Sequence, residues 1–275
     1  MCPNCRAFIT TDDKVCPYCD LRLGTRAVDQ RTPADVLGGL IPHYRFTTVV
    51  IMLINLGLYL ATVFYSMRAV QGGGFDVDSR TLVDFGGKFE VFALGQYWRL
   101  VTAGFLHASL LHIGMNMWVL FDLGVHVEQT YGTPRYLVLY FLSTVGGFAA
   151  SSLWDPRVVS IGASAGIFGL IGAMVAVGVR DRTPYGAMIR SVYGRWVLYG
   201  LAIGVLPALI GYSFMDNAAH LGGVTVGFVA GYLSGTPRLG RPATETAWKV
   251  AAGIALALTA ISFAEMFLFL TSVQS

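Results

Sequence analysis

The run VVSIGASAGIFGLIGAMVAVGV, residues 158–179, carries no charged side chain, yet it sets Ser164 among Gly162, Gly166, Gly169 and Gly172. At about 1.5 Å per residue such a run crosses a ~30 Å hydrocarbon layer as a helix. Six further apolar runs, at 46–67, 108–127, 136–154, 196–214, 217–235 and 248–271, predict seven spans in all. They are continuous rather than alternating, which selects helices over barrel strands. With 55% hydrophobic and 13% charged residues and a mean hydropathy of +0.60, a soluble domain is excluded. The chain reads as an all-α polytopic membrane protein.

Charge placement orients it. With the N-terminus cytoplasmic, fourteen of the nineteen basic residues fall on the cytoplasmic side, leaving Arg68, Arg80, Lys88, Arg99 and Arg157 outside. That bias predicts N-in and, after seven crossings, a C-terminus outside. No cleavable signal peptide is expected before the first span. A net charge of +3 gives no reason to expect nucleic acid as a partner.

All four cysteines lie at the start of the chain, as Cys2-Pro3-Asn4-Cys5 and Cys16-Pro17-Tyr18-Cys19. Two such knuckles turn four thiolates toward one point, the donor set of a tetrahedral structural Zn²⁺. A cytoplasmic location disfavours the competing disulfide reading. Residues 1–24 are therefore expected to form a zinc ribbon, with a cytoplasmic partner as one possible role. Residues 25–45 are expected to be a linker.

Within the spans the polar residues are the exceptions, and a serine or histidine in a lipid-embedded helix asks for a reason. Ser164 is expected about six residues into the fourth span, and His220, in Ala219-His220-Leu221-Gly222-Gly223, about four into the sixth. His112 and Asn116, one helical turn apart, share a face in the outer half of the second. In the predicted topology these three helices run parallel, so the polar groups share a depth near the positive helix ends. Gly223, Gly227 and Gly231 recur every fourth residue, as a close helix contact requires. Glu265 in the last span has no evident purpose.

At these residues the chain resembles the rhomboid intramembrane serine proteases over about 45–236. The resemblance rests on Trp98-Arg99, on HASLLHIGMN from His107 to Asn116, on Glu128 with Gly132, on Gly162-x-Ser164, and on Ala219-His220-Leu221-Gly222-Gly223, in that order. Ala165 stands where the family pattern has glycine. The resemblance implies a six-helix protease core at 46–236, and a cytoplasmic loop with a seventh helix at 237–275. It implies an endopeptidase that cleaves transmembrane segments of membrane proteins in a wet, outward-facing cavity, with lipid around it and no catalytic cofactor. By the same resemblance Ser164 is the nucleophile, His220 the base, and His112 and Asn116 with the Ser164 N–H the oxyanion hole. Phe168 packs on the histidine, while Gly162 and Gly223 permit close approach. The loop at 71–97, with Phe85, Phe89, Phe92 and Tyr97, is expected at the membrane interface, and substrates past the fifth span.

Three other readings compete. Gly162-x-Ser164-x-Gly166 also spells a hydrolase nucleophile elbow, but that needs a strand before the serine and an acid before the histidine. A non-proteolytic rhomboid-like protein that binds membrane clients usually lacks the serine or histidine kept here. A transporter should show paired acids or an inverted repeat, and the sequence has neither.

Overall fold

The computed structural model describes residues 5, 15–21, 45–69, 74–212, 215–235 and 242–274. The chain divides into two compact units, Met1–His43 and Tyr44–Ser275. Cys2 and most of the expected ribbon and linker lie outside the described residues.

The larger unit is helical: α1 (Phe46–Ala69), α2 (Ser79–Asp84), α3 (Arg99–Thr102) followed by a 3₁₀ turn, α4 (Leu110–Trp154), α5 (Ser164–Arg180), α6 (Pro184–Leu209), α7 (Asn217–Ser234) and α8 (Pro242–Gln274). Among the described residues, α1, α4, α6 and α8 are each long and apolar enough to cross a membrane. α1 shows how a lipid-facing helix inverts the soluble rule. Its inward face carries Thr48, Asn55 and Thr62, buried seven residues apart, beside Ile51, Tyr59 and Val63, while Leu53, Leu56, Leu60 and Phe64 are exposed. Asn55 and Thr62 donate to the carbonyls of Ile51 and Tyr59, so neither presents an idle donor to an apolar interior.

α4 is two legs. Gly132 leaves helical geometry at φ 74°, ψ 159°, a positive φ that glycine adopts without a Cβ penalty, and Pro134, which has no N–H to donate, stands two residues on in the first turn of the second leg. The legs fold back on each other, since a Cβ on Gly124 would lie 2.8 Å from the Tyr136 hydroxyl twelve residues on. At this bend the Glu128 carboxylate accepts hydrogen bonds from Thr47 and Thr133, which ties α1 to the hairpin.

α5 is buried on nearly every side. α7 meets it backbone to backbone: a Cβ on Gly227 would run into the Gly169 carbonyl, and one on Gly172 into that of Val224. α6 begins at Pro184, capped by Thr183, twelve residues before the expected start of the fifth span, and of its side only Gly186, Ile189, Tyr193 and Gly204 are buried. Arg190 and Arg195, which suggested a loop, are exposed on its first turns.

α8 is fixed at both ends. Glu245 forms a bidentate bridge to Arg135 at 2.7 Å per contact, and the Arg135 guanidinium also covers the Trp248 ring. At the other end Phe269 packs on Trp98 and lies under the Arg99 guanidinium. Between these ends a cavity of about 800 Å³ opens between α8 and residues Trp98, Val101, Phe141 and Val145, with Glu265 on its wall. Arg135 is 1% exposed and Glu245 31%, so Glu245→Ala strands a buried charge. Its unfolding temperature in detergent should fall further than that of Arg135→Leu.

Candidate active site

The fourth span corrects one expectation. Ser164 is the first residue of α5, with Ala163 at the N-cap position making no side-chain cap, and not six residues into a helix. Residues 158–162 lead to it in non-helical conformation, and Ala163 already has helical φ and ψ. Ser160 pairs with Lys88 through both backbone amides at 3.0 and 3.1 Å, and the Gly162 N–H donates to the Ala103 carbonyl at 2.9 Å. Gly162 sits at φ 119°, which side chains rarely adopt. An apolar run reads alike whether it is a buried extended segment or a helix, and here β-branched Val158, Val159 and Ile161 together with Gly162 favour extension. The consequence is chemical. The N–H of Ser164 belongs to a helix first turn, so it has no acceptor within its own helix and lies at the positive end of the dipole.

The first loop holds this approach in place. Arg99, almost wholly buried, donates to the carbonyls of Val83 at 2.5 Å and Gly87 at 3.0 Å and to Gln96 at 2.5 Å. The Lys88 ammonium donates to the carbonyls of Asp155 and Val158. Burial holds its pKa below the ordinary lysine value, opposed by the carboxylates of Asp216 and Asp155. Phe85 does not face the interface as expected: it is buried edge-on against Tyr65, while Phe92 and Tyr97 are exposed.

α7 starts at Asn217, so His220 lies in its first turn. The His220 Nε2 is 2.9 Å from the Ser164 Oγ, across 56 residues of chain. The imidazole stacks on Phe168, with ring centroids 4.3 Å apart and planes 6° from parallel. Phe168 in turn has room because α6 offers Gly200, where a Cβ would lie 2.5 Å from the ring. His220 Nδ1 meets no hydrogen-bond partner among the described residues. Asp216, one turn away, is occupied otherwise: its carboxylate caps α7 at the Ala219 N–H and accepts from Ser151 on α4.

His112 approaches from the start of α4, where Ser109 caps the helix. A Cβ on Gly162 would stand 2.7 Å from His112 Nε2 and 3.6 Å from Ser164 Oγ. The missing side chain of Gly162 thus leaves a small space bordered by the imidazole and the hydroxyl. Asn116, one turn further on, donates one amide proton to the His112 carbonyl at 3.1 Å, leaving its second. His107 packs edge-on against His112, with centroids 4.9 Å apart. The extra methyl of Ala165 is accommodated: Gly147 has no Cβ to meet it, and the Ala165 carbonyl lies where a Cβ on Gly223 would go. Ser151, Gly147 and Gly200 gave no signal in the sequence, because each acts only through a partner distant in the chain.

A hydroxyl against a stacked imidazole, beside a small space bordered by a second imidazole, is suited to acyl transfer. The rhomboid domain model matches residues 94–237. The chain is 32% identical over 184 residues to "Rhomboid protease GluP" of Bacillus subtilis, covering 66% of this chain and 35% of that protein. It is 34% identical over 170 residues to "Rhomboid-like protease 3" of Toxoplasma gondii, covering 60% and 62%. Against "RHOMBOID-like protein 1" of Arabidopsis thaliana it is 37% identical over 142 residues, covering 50% and 34%. The matches thus span between about a third and three fifths of these relatives' own lengths.

Proposed function

Since the chain belongs to the rhomboid family, we propose that it is an intramembrane serine endopeptidase that cleaves transmembrane segments of membrane proteins. The observation that carries this is the 2.9 Å contact between Ser164 Oγ and His220 Nε2. His220 accepts the Ser164 proton as Oγ attacks the scissile carbonyl carbon. The resulting oxyanion settles into the space beside Gly162, toward the Ser164 N–H, His112 Nε2 and the second amide proton of Asn116. Collapse breaks the C–N bond, His220 delivers its proton to the leaving amine, and water then hydrolyses the acyl-enzyme through the same base. Phe168 is a positioning residue that fixes the imidazole plane.

The basic residues favour a cytoplasmic N-terminus, seven crossings with α4 counted as two, and the site opening to the outside. Substrates would approach along α6, whose face is largely exposed. A transmembrane substrate must unwind where it is cut, which favours helix-weakening residues there.

Labelling by a fluorophosphonate probe, alongside cleavage of a model transmembrane substrate in detergent, tests the reading. The wild type should label and cleave, and Ser164→Ala should do neither; equal labelling of both would overturn it. Asn116→Ala should lower kcat about 10²–10³-fold with the probe site intact, since it withdraws one oxyanion donor.

A further inference from the structure

We propose that the N-terminal unit binds one Zn²⁺ through the thiolates of Cys5, Cys16 and Cys19; Cys2, the fourth cysteine of the sequence pattern, lies outside the described residues. The sulfurs of Cys5, Cys16 and Cys19 all lie within 4.8 Å of one another. Cys5 Sγ and Cys16 Sγ are 3.6 Å apart. Around a tetrahedral zinc with Zn–S bonds of about 2.3 Å, neighbouring sulfurs stand ~3.8 Å apart, whereas a disulfide requires ~2.05 Å. The geometry matches the edge of a coordination tetrahedron.

The backbone around the second pair is shaped accordingly. Cys16 C=O accepts from the Asp20 N–H, and the Cys16 N–H donates to Leu21 C=O, both at 2.9 Å. Asp20 takes a left-handed φ of 56°. The chain therefore turns tightly through Cys16-Pro17-Tyr18-Cys19 and brings both sulfurs to one side, with Pro17 restricting the turn in advance.

A second observation points to a ligand rather than to a small apolar core. Cys16 is 0% exposed, yet its apolar neighbours Val15, Tyr18 and Leu21 are 44%, 71% and 37% exposed. The segment buries a thiol and leaves its hydrophobic side chains outside. A cluster of soft donors at its centre is what such a segment organises itself around, and thiolates select Zn²⁺ over oxygen-preferring cations. Binding releases the thiol protons to solvent, so occupancy falls as the pH is lowered.

The experiment uses the full chain purified in detergent without chelator. Elemental analysis should give one zinc per chain, and exchange with Co²⁺ should produce the sulfur-to-cobalt charge-transfer and ligand-field bands of a tetrahedral thiolate site. Cys16→Ser and Cys5→Ser should each lower zinc content at least about tenfold, so that a fold defect in one is checked by the other. Ser164→Ala should keep its zinc, which separates this site from the hydrolytic one. One iron per chain instead of zinc overturns the assignment. So does zinc content unchanged in both cysteine variants, or four thiols that react as readily in the protein as purified as they do after EDTA treatment.

Discussion

Ser164→Ala and His220→Ala should each reduce hydrolysis of a transmembrane substrate by about 10⁴-fold or more, and the double variant should be no slower than the worse single one. Non-additivity is the informative part. The two side chains meet at 2.9 Å and act as one unit, so removing either leaves the other with nothing to do. His220→Ala also removes a ring from the Phe168 stack. Its unfolding temperature should therefore be measured beside its rate, and Ser164→Ala, which removes a single oxygen, is the cleaner test. Initial rates with purified protein decide the matter. A double variant slower than either single one by the product of their losses would mean that the two residues contribute separately.

A single methyl at Gly227 should have the largest effect on stability, about 3 kcal/mol. The Cβ of Gly227→Ala would collide with the Gly169 carbonyl, which is backbone inside a buried helix and has no rotamer in which to retreat. The same substitution at Gly253 meets nothing within 4 Å, so its higher helix propensity should leave α8 unharmed or slightly more stable. Thermal unfolding of the two variants in one detergent reads the difference. Equal shifts would mean that α5 and α7 have room to separate.

The stripe Gly223, Gly227 and Gly231 was legible because small residues at a four-residue period leave few uses besides close contact. The site was legible for a related reason. Ser164, His220, His112 and Asn116 interrupt apolar runs, and the parallel orientation of their helices follows from counting crossings and charges. The local conformation of 158–163 was not legible, because hydrophobicity reports burial and not φ and ψ. The Lys88–Ser160 pairing, the Gly162 N–H bond to the Ala103 carbonyl and the positive φ of Gly162 fix it, and the first depends on residues 72 apart. The start of α6 was misplaced because Arg190 and Arg195 break the apolar run without breaking the helix. Thr183 before Pro184 was the better signal, a cap residue followed by a proline with its φ already helical. Asp216, an acid one turn from the histidine, suits a helix cap by its position before Asn217, and its carboxylate is taken up by Ala219 and Ser151.

The separations along the chain carry a kinetic meaning. The two legs of α4 are joined by one bend and can meet as soon as both have been synthesised, whereas Ser164 finds His220 only across 56 residues, and Arg135 finds Glu245 only across 110. Loop closure over such distances comes late in assembly. On the proposed mechanism Ser164 therefore stays unactivated through most of biogenesis, and a chain stalled before α7 should be inert however well its first helices have assembled. Fluorophosphonate labelling followed during synthesis would then mark the arrival of the finished fold rather than the appearance of the polypeptide.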